Sequence, residues 1–569
     1  MKGKMIRPRD EEGTPVTERK VFAVGLDGAT LDLIKPWAQE GMLPTFARIL
    51  REGSHGKLRS TIPPVTGPAW VSFMTGRNPG KHGVGDFLQR SAGEYRRALV
   101  DSTGIKAEPV WITAGRQGKK VGVLNVPVTY PPYEVNGFLV SGLLTPRSTK
   151  AYTYPASLAK ELDQAVGGYR VNLDHFYVKG SGERFLADVK ALLKARTRAA
   201  EYLMGRYDWD FFMVHYIATD WVQHFLWHCM DPTHPRFDKV EAELYGDAIL
   251  EVYQQIDSAL GTLMARLGRD TVLLVMSDHG FGPFHKYIYL NNWLLENELL
   301  ALKKGPATRL KYLLFRLGLT PSSLYRALAR MMLVKVAFRA SKKQRYDLLS
   351  TLFLSGKDID WSRTKAYSSG NVGQVFINVK GREPSGVVEP GREYREVRAQ
   401  LISRLSELRD PETGDLVLEH IYKREDVYSG PYVDQLPDIL LLPRNLEYIA
   451  TGLAEFVSNA VIEPSFAYSG THRMDGTFIL WGAGVKKGLV AEDAAIVDMA
   501  PTILHLLGLP VPRGMDGTVL TSMLDEEFVA AQPVRYTDEE GAAESTGTGL
   551  SDEEAEEVKE RLRGLGYVT

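Results

Sequence analysis

Seven side chains of three types could together bind metal ions and attack phosphorus. They are Thr66, Asp27, Asp220, Asp278, His224, His279 and His472. Carboxylates and imidazoles are common ligands of zinc, manganese and similar divalent ions. Two such ions about 4 Å apart can hold the attacking and leaving oxygens of an in-line displacement. Because the seven residues are far apart in the sequence, this chemistry requires a fold that brings them into one cleft.

Short apolar runs that are rich in branched side chains precede or flank several of these residues. The runs are residues 21–26, 211–214, 272–276 and 478–481. Each is bounded by turn residues, which is typical of strands buried on both faces. Between them lie helical patterns, of which residues 241–267 are the clearest. The alternation predicts an α/β fold with a mostly parallel sheet, and it places Asp27 and Asp278 at the carboxyl ends of strands, where ligands bind.

The segments that contain the seven residues, in this order, resemble the alkaline phosphatase superfamily, most closely its type I phosphodiesterase/nucleotide pyrophosphatase family. They read Val-Gly-Leu-Asp-Gly at 24–28, Val-Thr-Gly-Pro at 65–68, Asp-Trp-Val-Gln-His at 220–224, Ser-Asp-His-Gly at 277–280 and Gly-Thr-His-Arg at 470–473. The resemblance spans roughly residues 20–300 and 365–520. It implies an alkaline-phosphatase-like sandwich whose mostly parallel central sheet is flanked by helices, with a helical insertion.

The resemblance also implies a role for each residue of the set. Thr66 is the expected nucleophile, activated by a metal ion. The expected ligands are Asp27, Asp278 and His279 with Thr66 for one ion, and Asp220, His224 and His472 for the other. Asp220 and His224 are four residues apart, so on a helix they share one face. His472, in Gly-Thr-His-Arg, is expected in a loop before a strand. The expected cofactors are two divalent ions, zinc or manganese.

The expected substrate contacts are less regular than the metal ligands. Nucleotide pyrophosphatases usually carry a phosphate-binding asparagine five residues after the histidine of their His-Gly motif, and here that place, counted from His82, holds Phe87. The missing donor is expected to come from the amide of Gly67 or Lys81. His285 follows the Asp-His-Gly turn closely enough to line the cleft.

Composition and charge exclude several other classes of protein. The 569 residues are 44% hydrophobic and 24% charged, which suits a large soluble enzyme. The net charge of -1 argues against a nucleic acid polymer as partner. Cys229 is the only cysteine, so neither an intrachain disulfide nor a thiolate metal cluster is expected. We expect a cytoplasmic protein, because no secretory leader or membrane-spanning run is evident.

Residues 303–345 interrupt the alternation of strands and helices. This segment contains twelve lysines and arginines and no acidic residue, interleaved with leucines and methionines. It predicts two or three basic amphipathic helices, broken near Gly318 and Pro321. They could form a cap over the cleft, a packed insertion with a solvated basic face, or a peripheral membrane contact.

Five parts of the chain are predicted from these patterns. They are an N-terminal extension (1–19), a first catalytic part (20–299), a basic helical insertion (300–364), a second catalytic part (365–525), and an acidic linker with a C-terminal helix (526–569). Ser551 and Glu554 offer a capping box for that helix.

The sequence therefore predicts a metal-dependent phosphohydrolase, of the phosphodiesterase or nucleotide pyrophosphatase type, that acts on a small phosphate ester or diester. One alternative is a transferase that passes the phosphoryl group to an alcohol or lipid acceptor. Another is a non-catalytic protein that docks on an anionic membrane or partner. A sulfatase is disfavoured, because its motif requires a cysteine or serine that is converted to formylglycine, and Thr66 does not fit that motif.

Overall fold

The computed structural model describes most of the chain. The described residues are 19–90, 94–95, 97–324, 350–452, 456–466, 468–539, 541, 549–565 and 567. Among these residues, no helix combines the length and the apolar character needed to cross a membrane.

The strands are short. In chain order they are β1 (Lys20–Leu26), β2 (Ser54–Arg59), β3 (Leu88–Arg90), β4 (Arg97–Leu99), β5 (Val121–Leu124), β6 (Gly137–Val140), β7 (Thr153–Tyr154), β8 (Phe211–Tyr216), β9 (Thr271–Met276), β10 (Gly280–Pro283), β11 (Lys286–Tyr289), β12 (Ala366–Ser368), β13 (Gln374–Ile377), β14 (Leu418–Lys423), β15 (Ile439–Pro443), β16 (Tyr448–Thr451), β17 (Ile462–Pro464), β18 (Gly470–Arg473), β19 (Asp475–Gly482), β20 (Val490–Ala495), β21 (Val511–Pro512) and β22 (Tyr536–Thr537).

The helices vary more in length. They are α1 (Leu31–Gln39), α2 (Pro44–Glu52), α3 (Thr66–Thr75), α4 (Pro79–His82), α5 (Val110–Arg116), α6 (Leu158–Val166), α7 (Gly182–Arg206), α8 (Ala218–Met230), α9 (Lys239–Tyr245), α10 (Ala248–Met264), α11 (Leu290–Glu296), α12 (Pro306–Arg316), α13 (Arg392–Leu405), α14 (Arg424–Val427), α15 (Met499–Leu506), α16 (Glu526–Ala531) and α17 (Asp552–Gly564).

A nine-stranded sheet lies at the centre, in the order β20-β2-β19-β9-β1-β8-β5-β6-β7. β1 pairs in parallel with β8 on one side and β9 on the other. β19 runs antiparallel to both β9 and β2. Every residue of β8 and β9 is buried, as expected for strands covered by helices on both faces. The predicted α/β sandwich with a mostly parallel sheet is confirmed.

The long helix predicted over residues 241–267 is wrong in one respect, because two helices occupy this range. α9 ends at Tyr245, and α10 begins at Ala248 after a turn that contains Gly246. Glycine in a helix interior is destabilising by about 1 kcal/mol relative to alanine, so it favours a break at this position. The predicted apolar stripe is nevertheless buried along α10.

A second hydrophobic cluster lies apart from the main core and extends from Ile288 to Ile462 in the sequence. It is covered by a four-stranded sheet, β12-β13-β15-β14, and a three-stranded sheet, β16-β11-β17. The chain enters this part after β10 and leaves it before β18, and these two strands pair antiparallel. The cluster extends beyond both ends of the predicted insertion at 300–364, whose boundaries stay a prediction.

The basic segment at 303–345 is only partly described. α12 ends at Arg316, and the left-handed Gly318 follows it with a φ of 80°, as the predicted break required. Leu310, Leu313 and Leu317, one helical turn apart on α12 and just beyond its end, are 59%, 55% and 69% exposed. The remainder of the segment, from residue 325 onward, lies outside the described residues.

Candidate active site

The carboxyl ends of three adjacent parallel strands bring the first ligands together. Asp27 directly follows β1, and Asp278 lies two residues after β9. Asp220 lies in the first turn of α8, which begins two residues after β8. Gly28 turns the chain after Asp27 with a φ of 65°, and its amide donates a 3.2 Å hydrogen bond to Asp278 Oδ1. A side chain there would lie 2.8 Å from the ring of Phe281, so only glycine fits this turn.

Thr66 is the first residue of α3, a helix that is buried along its whole length. Its hydroxyl oxygen lies 3.3 Å from His279 Nε2 and 3.5 Å from Asp27 Oδ1. Amides in the first turn of a helix have no partner within the helix, so they are available to an anion. Thr66 therefore stands where a phosphoryl group would meet both these amides and the predicted metal ligands.

The three histidines of the set share one hydrogen-bonding pattern. Nδ1 donates to a backbone carbonyl in each: His224 to Gly470 at 2.9 Å, His472 to Pro64 at 2.8 Å and His279 to Gly280 at 3.1 Å. A neutral imidazole that donates through Nδ1 has its lone pair on Nε2. All three Nε2 atoms therefore present lone pairs to the interior of the cluster, as metal-ligating histidines do.

Asp220, His224 and His472 form one of three groups among the described residues that could hold a metal ion, and His228, Cys229 and Glu241, outside the seven, form another. Asp220 Oδ1 lies 3.3 Å from both His224 Nε2 and His472 Nε2. The two nitrogens lie only 3.1 Å apart. Two lone pairs that face each other at this distance repel unless a proton or a cation lies between them. The predicted pairing of Asp220 with His224 on one helical face is present on α8.

Asp27, Asp220 and His279 form the third group of this kind. Asp278 adjoins it, because its Oδ2 lies 3.3 Å from His279 Nε2. Asp220 Oδ1 and Asp278 Oδ2 are buried and accept no hydrogen bond. Buried carboxylate oxygens are rarely left unsatisfied, so the chemistry of this donor set fits divalent cations.

Burial and mutual repulsion shift the pKa values of the acidic side chains in the cluster. Burial raises the pKa of Asp27 well above its usual range, and the Asp278 and Asp220 carboxylates raise it further. Burial, followed by Asp220, likewise raises the pKa of Asp278. Burial alone would also raise the pKa of Asp220, but His224 and His472, when each carries a proton on Nε2, hold it below its usual range. Three acids concentrated in one buried space favour the binding of positive charge.

His472 was expected in a loop, and this is wrong. It lies within β18, opposite Phe281 of β10. The pairing of β10 with β18 carries His472 back to the Asp-His-Gly turn across nearly 200 residues of sequence. The rings of His279 and His472 stack with their centroids 3.6 Å apart.

The predicted substrate contacts are placed less favourably than the metal ligands. Gly67 lies beside Thr66, and its α-carbon faces the ring of Phe87. The Lys81 amide donates to Asn78, and its ammonium group is paired with Asp516. His285 lies 3.6 Å from a carboxylate oxygen of Glu447. Neither Lys81 nor His285 contacts the seven clustered side chains, so only Gly67 is brought to the site.

Sequence reasoning missed three side chains that support the cluster. Trp70 Nε1 and His215 Nε2 donate to Asp27 Oδ2 at 3.1 Å and 3.0 Å. Tyr567, near the end of the chain, donates its hydroxyl proton to Asp220. The position of Trp70 one turn after Thr66 was a usable signal. His215 is fully buried within β8.

The fold and the clustered side chains together are those of the alkaline phosphatase superfamily. The sequence pattern of the type I phosphodiesterase / nucleotide pyrophosphatase family matches residues 21–455. The chain therefore belongs to this family, and the resemblance seen in its motifs is confirmed. The family is metal-dependent, in agreement with the two groups of potential ligands that the seven residues form.

Curated relatives share about half of this chain. Ectonucleotide pyrophosphatase/phosphodiesterase family member 1 of Homo sapiens is 25% identical over 300 residues, which cover 50% of this chain and 26% of that protein. The Mus musculus protein of the same name is 25% identical over 301 residues, which cover 50% of this chain and 27% of that protein. The chain thus matches about a quarter of the length of these relatives.

A solved structure supports the fold. Phosphonoacetate hydrolase from Sinorhizobium meliloti 1021, in complex with phosphonoformate, aligns with a TM-score of 0.52 and 16% identity. The alignment covers 89% of this chain and 99% of that one. At this identity the likeness shows the fold alone.

Proposed function

We propose that this chain is a metal-dependent phosphohydrolase, of the phosphodiesterase or nucleotide pyrophosphatase type, with Thr66 as its nucleophile. The observation that carries the proposal is the position of the Thr66 hydroxyl, 3.3 Å from His279 Nε2 within a buried cluster of potential metal ligands. Family membership supports the same reaction class.

The proposed cofactors are two divalent ions, zinc or manganese. The residues that would hold them are Asp27, Asp278 and His279 with Thr66 at one position, and Asp220, His224 and His472 at the other. Bound there, the ions would supply Lewis-acid stabilisation of the charge on the phosphoryl and leaving oxygens. Asp220 is assigned to the second position, because its Oδ1 lies 3.3 Å from both His224 Nε2 and His472 Nε2.

The protein's own residues perform the remaining steps. The first-turn amides of α3, including that of Gly67, bind a phosphoryl oxygen and orient phosphorus toward Thr66. The bond between Thr66 Oγ1 and phosphorus forms as the bond to the leaving oxygen breaks. The Thr66 hydroxyl, 3.3 Å from His279 Nε2 and 3.5 Å from Asp27 Oδ1, gives up its proton to water as this bond forms. Water then hydrolyses the threonine phosphoester and restores the hydroxyl.

The proposed substrate is a small phosphate ester or diester, and we propose no nucleic acid polymer as partner. Phe87 stands where nucleotide pyrophosphatases usually have asparagine, and it is fully buried. A phenyl ring cannot donate a hydrogen bond to a phosphate oxygen. A strict preference for nucleotides is therefore not part of the proposal.

The experiment that tests the reaction class is a substrate panel with defined metals. The apoprotein, prepared with a chelator, is loaded with zinc or manganese and assayed with a p-nitrophenyl phosphomonoester, a phosphodiester, a sulfate ester and a phosphonate ester. We expect phosphodiester hydrolysis that requires the added metal and is lost in Thr66→Ala. Hydrolysis of the sulfate ester alone, or hydrolysis that chelation leaves unchanged, would refute the proposal.

Transfer to an alcohol is the alternative within the same chemistry, because only the acceptor differs. Adding glycerol or a lipid alcohol to the assay and measuring its phosphorylation separates transfer from hydrolysis. The non-catalytic alternative predicts no turnover of any ester even when both ion positions are filled.

A separate proposal concerns residues 303–345, as a peripheral contact with an anionic membrane. The supporting observation is the row of exposed leucines along α12, flanked by basic residues. Cytoplasmic residence is likewise a proposal. It suits this contact, because the cytoplasmic leaflet carries anionic lipids.

A further inference from the structure

Tyr567, three residues beyond the end of α17, reaches into the candidate active site. Its hydroxyl donates to Asp220 Oδ2, and the side chain is buried. The ring centroid lies 5.4 Å from that of Phe87, 5.9 Å from that of His224 and 6.4 Å from that of His472. A residue near the end of the chain thus contacts a candidate metal ligand that lies on α8.

The hydroxyl of Tyr567 gives the two oxygens of the Asp220 carboxylate different roles. Oδ2 accepts the hydrogen bond from Tyr567, whereas Oδ1 faces Nε2 of both His224 and His472 at 3.3 Å and accepts no hydrogen bond. A carboxylate with one oxygen held in this way cannot rotate freely, so its other oxygen stays directed at the two histidines. Such outer hydrogen bonds orient metal ligands and tune their affinity.

The element that carries Tyr567 is anchored as part of the main core. Val558, Leu562 and Leu565 are fully buried in it. The guanidinium group of Arg561 donates to the carbonyl oxygens of Thr145, at 2.8 Å, and of Leu143. These contacts anchor α17 in the main core, to which the Tyr567 side chain also belongs.

We propose that Tyr567 is a positioning residue of the metal site, which holds Asp220 Oδ2 so that Oδ1 is aimed at the ion shared with His224 and His472. The inference rests on the proposed function, because it assigns a role toward an ion that this function requires. It also makes the C-terminal helix a part of the site rather than an appendage.

The test is the affinity for metal, measured apart from activity. Tyr567→Phe keeps the ring and removes only the donor. Competition with a chromophoric zinc chelator should show one of two ions bound about 10- to 100-fold more weakly than in the wild type, and the other unchanged. Tyr130→Phe is the matched control, because it removes a hydroxyl that anchors the same helix through Glu554, 3.0 Å away, without touching the site. This control should bind both ions as the wild type does.

Three results would overturn the inference. The first is an unchanged affinity for both ions in Tyr567→Phe. The second is an equal loss in Tyr130→Phe, which would show that docking of the helix matters rather than the hydrogen bond to Asp220. The third is faster turnover in Tyr567→Ala than in the wild type, which would show that the ring blocks the cleft. If the wild type itself binds no divalent ion, both the proposed function and this inference fail. If the wild type binds two ions and Tyr567→Phe binds them equally well, only the inference about Tyr567 fails.

Discussion

Of all the side chains in the site, the proposed reaction depends most directly on the Thr66 hydroxyl. Its neighbours are Asp27, which follows β1, and His279, in the turn after β9, and no other hydroxyl of α3 lies at the start of the helix. Loss of this oxygen removes the group that forms the bond to phosphorus but leaves the aspartates and histidines in place.

Thr66→Ala should therefore reduce kcat by about a thousandfold or more, while the metal content stays the same. Thr66→Ser should retain more activity, because the hydroxyl is conserved. Steady-state kinetics and metal analysis on the same samples test this. Near wild-type turnover in Thr66→Ala would show that another group attacks phosphorus.

His472 provides a second test on a single side chain. Its Nε2 lies 3.1 Å from that of His224, and removing one of the two leaves a three-ligand group incomplete. In His472→Ala we expect the loss of about one equivalent of metal together with activity. If this variant keeps two equivalents and full turnover, β18 does not contribute a ligand.

At the scale of the elements, one buried histidine, His82, connects the short helix α4 to α3. Val84 donates its amide proton to His82 Nδ1 at 3.2 Å, so Nε2 carries the proton and donates to Ser72 of α3 at 2.9 Å. Burial lowers the pKa of His82 to about 3 from its ordinary value of 6.5. The folded protein thus keeps this imidazole neutral where the unfolded chain would protonate it.

The stability contributed by neutral His82 is fully present above pH 6.5 and is lost as the pH falls toward 3, because only the unfolded chain takes up the proton in this window. Relative to His82→Gln, the wild type should lose about 1.4 kcal/mol of unfolding free energy per pH unit below 6.5. Denaturant unfolding of both proteins at several pH values measures the difference. A difference that does not change with pH would contradict the burial of a neutral histidine.

The sequence predicted some elements well because their signals are local. The strands at 21–26 and 272–276 are recognisable from sequence, because a strand buried on both faces is itself a continuous apolar run. His472 was misplaced because its strand exists only through pairing with β10, far away in the sequence. Tyr567 left no signal, because its role comes from where α17 docks and not from its neighbours in the chain.

At the scale of the whole molecule, residues as far apart in the sequence as Asp27 and Tyr567 meet where the central strands of the sheet end. The exposed leucines of α12 lie in another part of the fold, within the segment between β10 and β18. Chemistry at the sheet and contact with a lipid surface can therefore be tested independently.

The triple variant Leu310→Ser, Leu313→Ser and Leu317→Ser should lose binding to vesicles that contain anionic lipid, because an interfacial helix binds through its apolar face. Turnover of a soluble phosphodiester should stay unchanged. Co-sedimentation with anionic vesicles, compared with co-sedimentation with neutral vesicles, measures the effect. The control is Val240→Ser with Leu244→Ser, which removes two similarly exposed side chains, each 67% exposed, from α9. Equal binding by the wild type and the triple variant would refute the membrane contact.

The antiparallel ribbon of β10 and β18 has a consequence for how such a protein can diversify. Pro283 and Gly470 are paired across it, so everything between them leaves and returns at neighbouring points. Segments with adjacent ends can be exchanged or lengthened without disturbing the host fold. All seven candidate catalytic residues lie outside this interval. Evolution, or a protein engineer, can therefore exchange the interval while the seven candidate site residues are inherited intact.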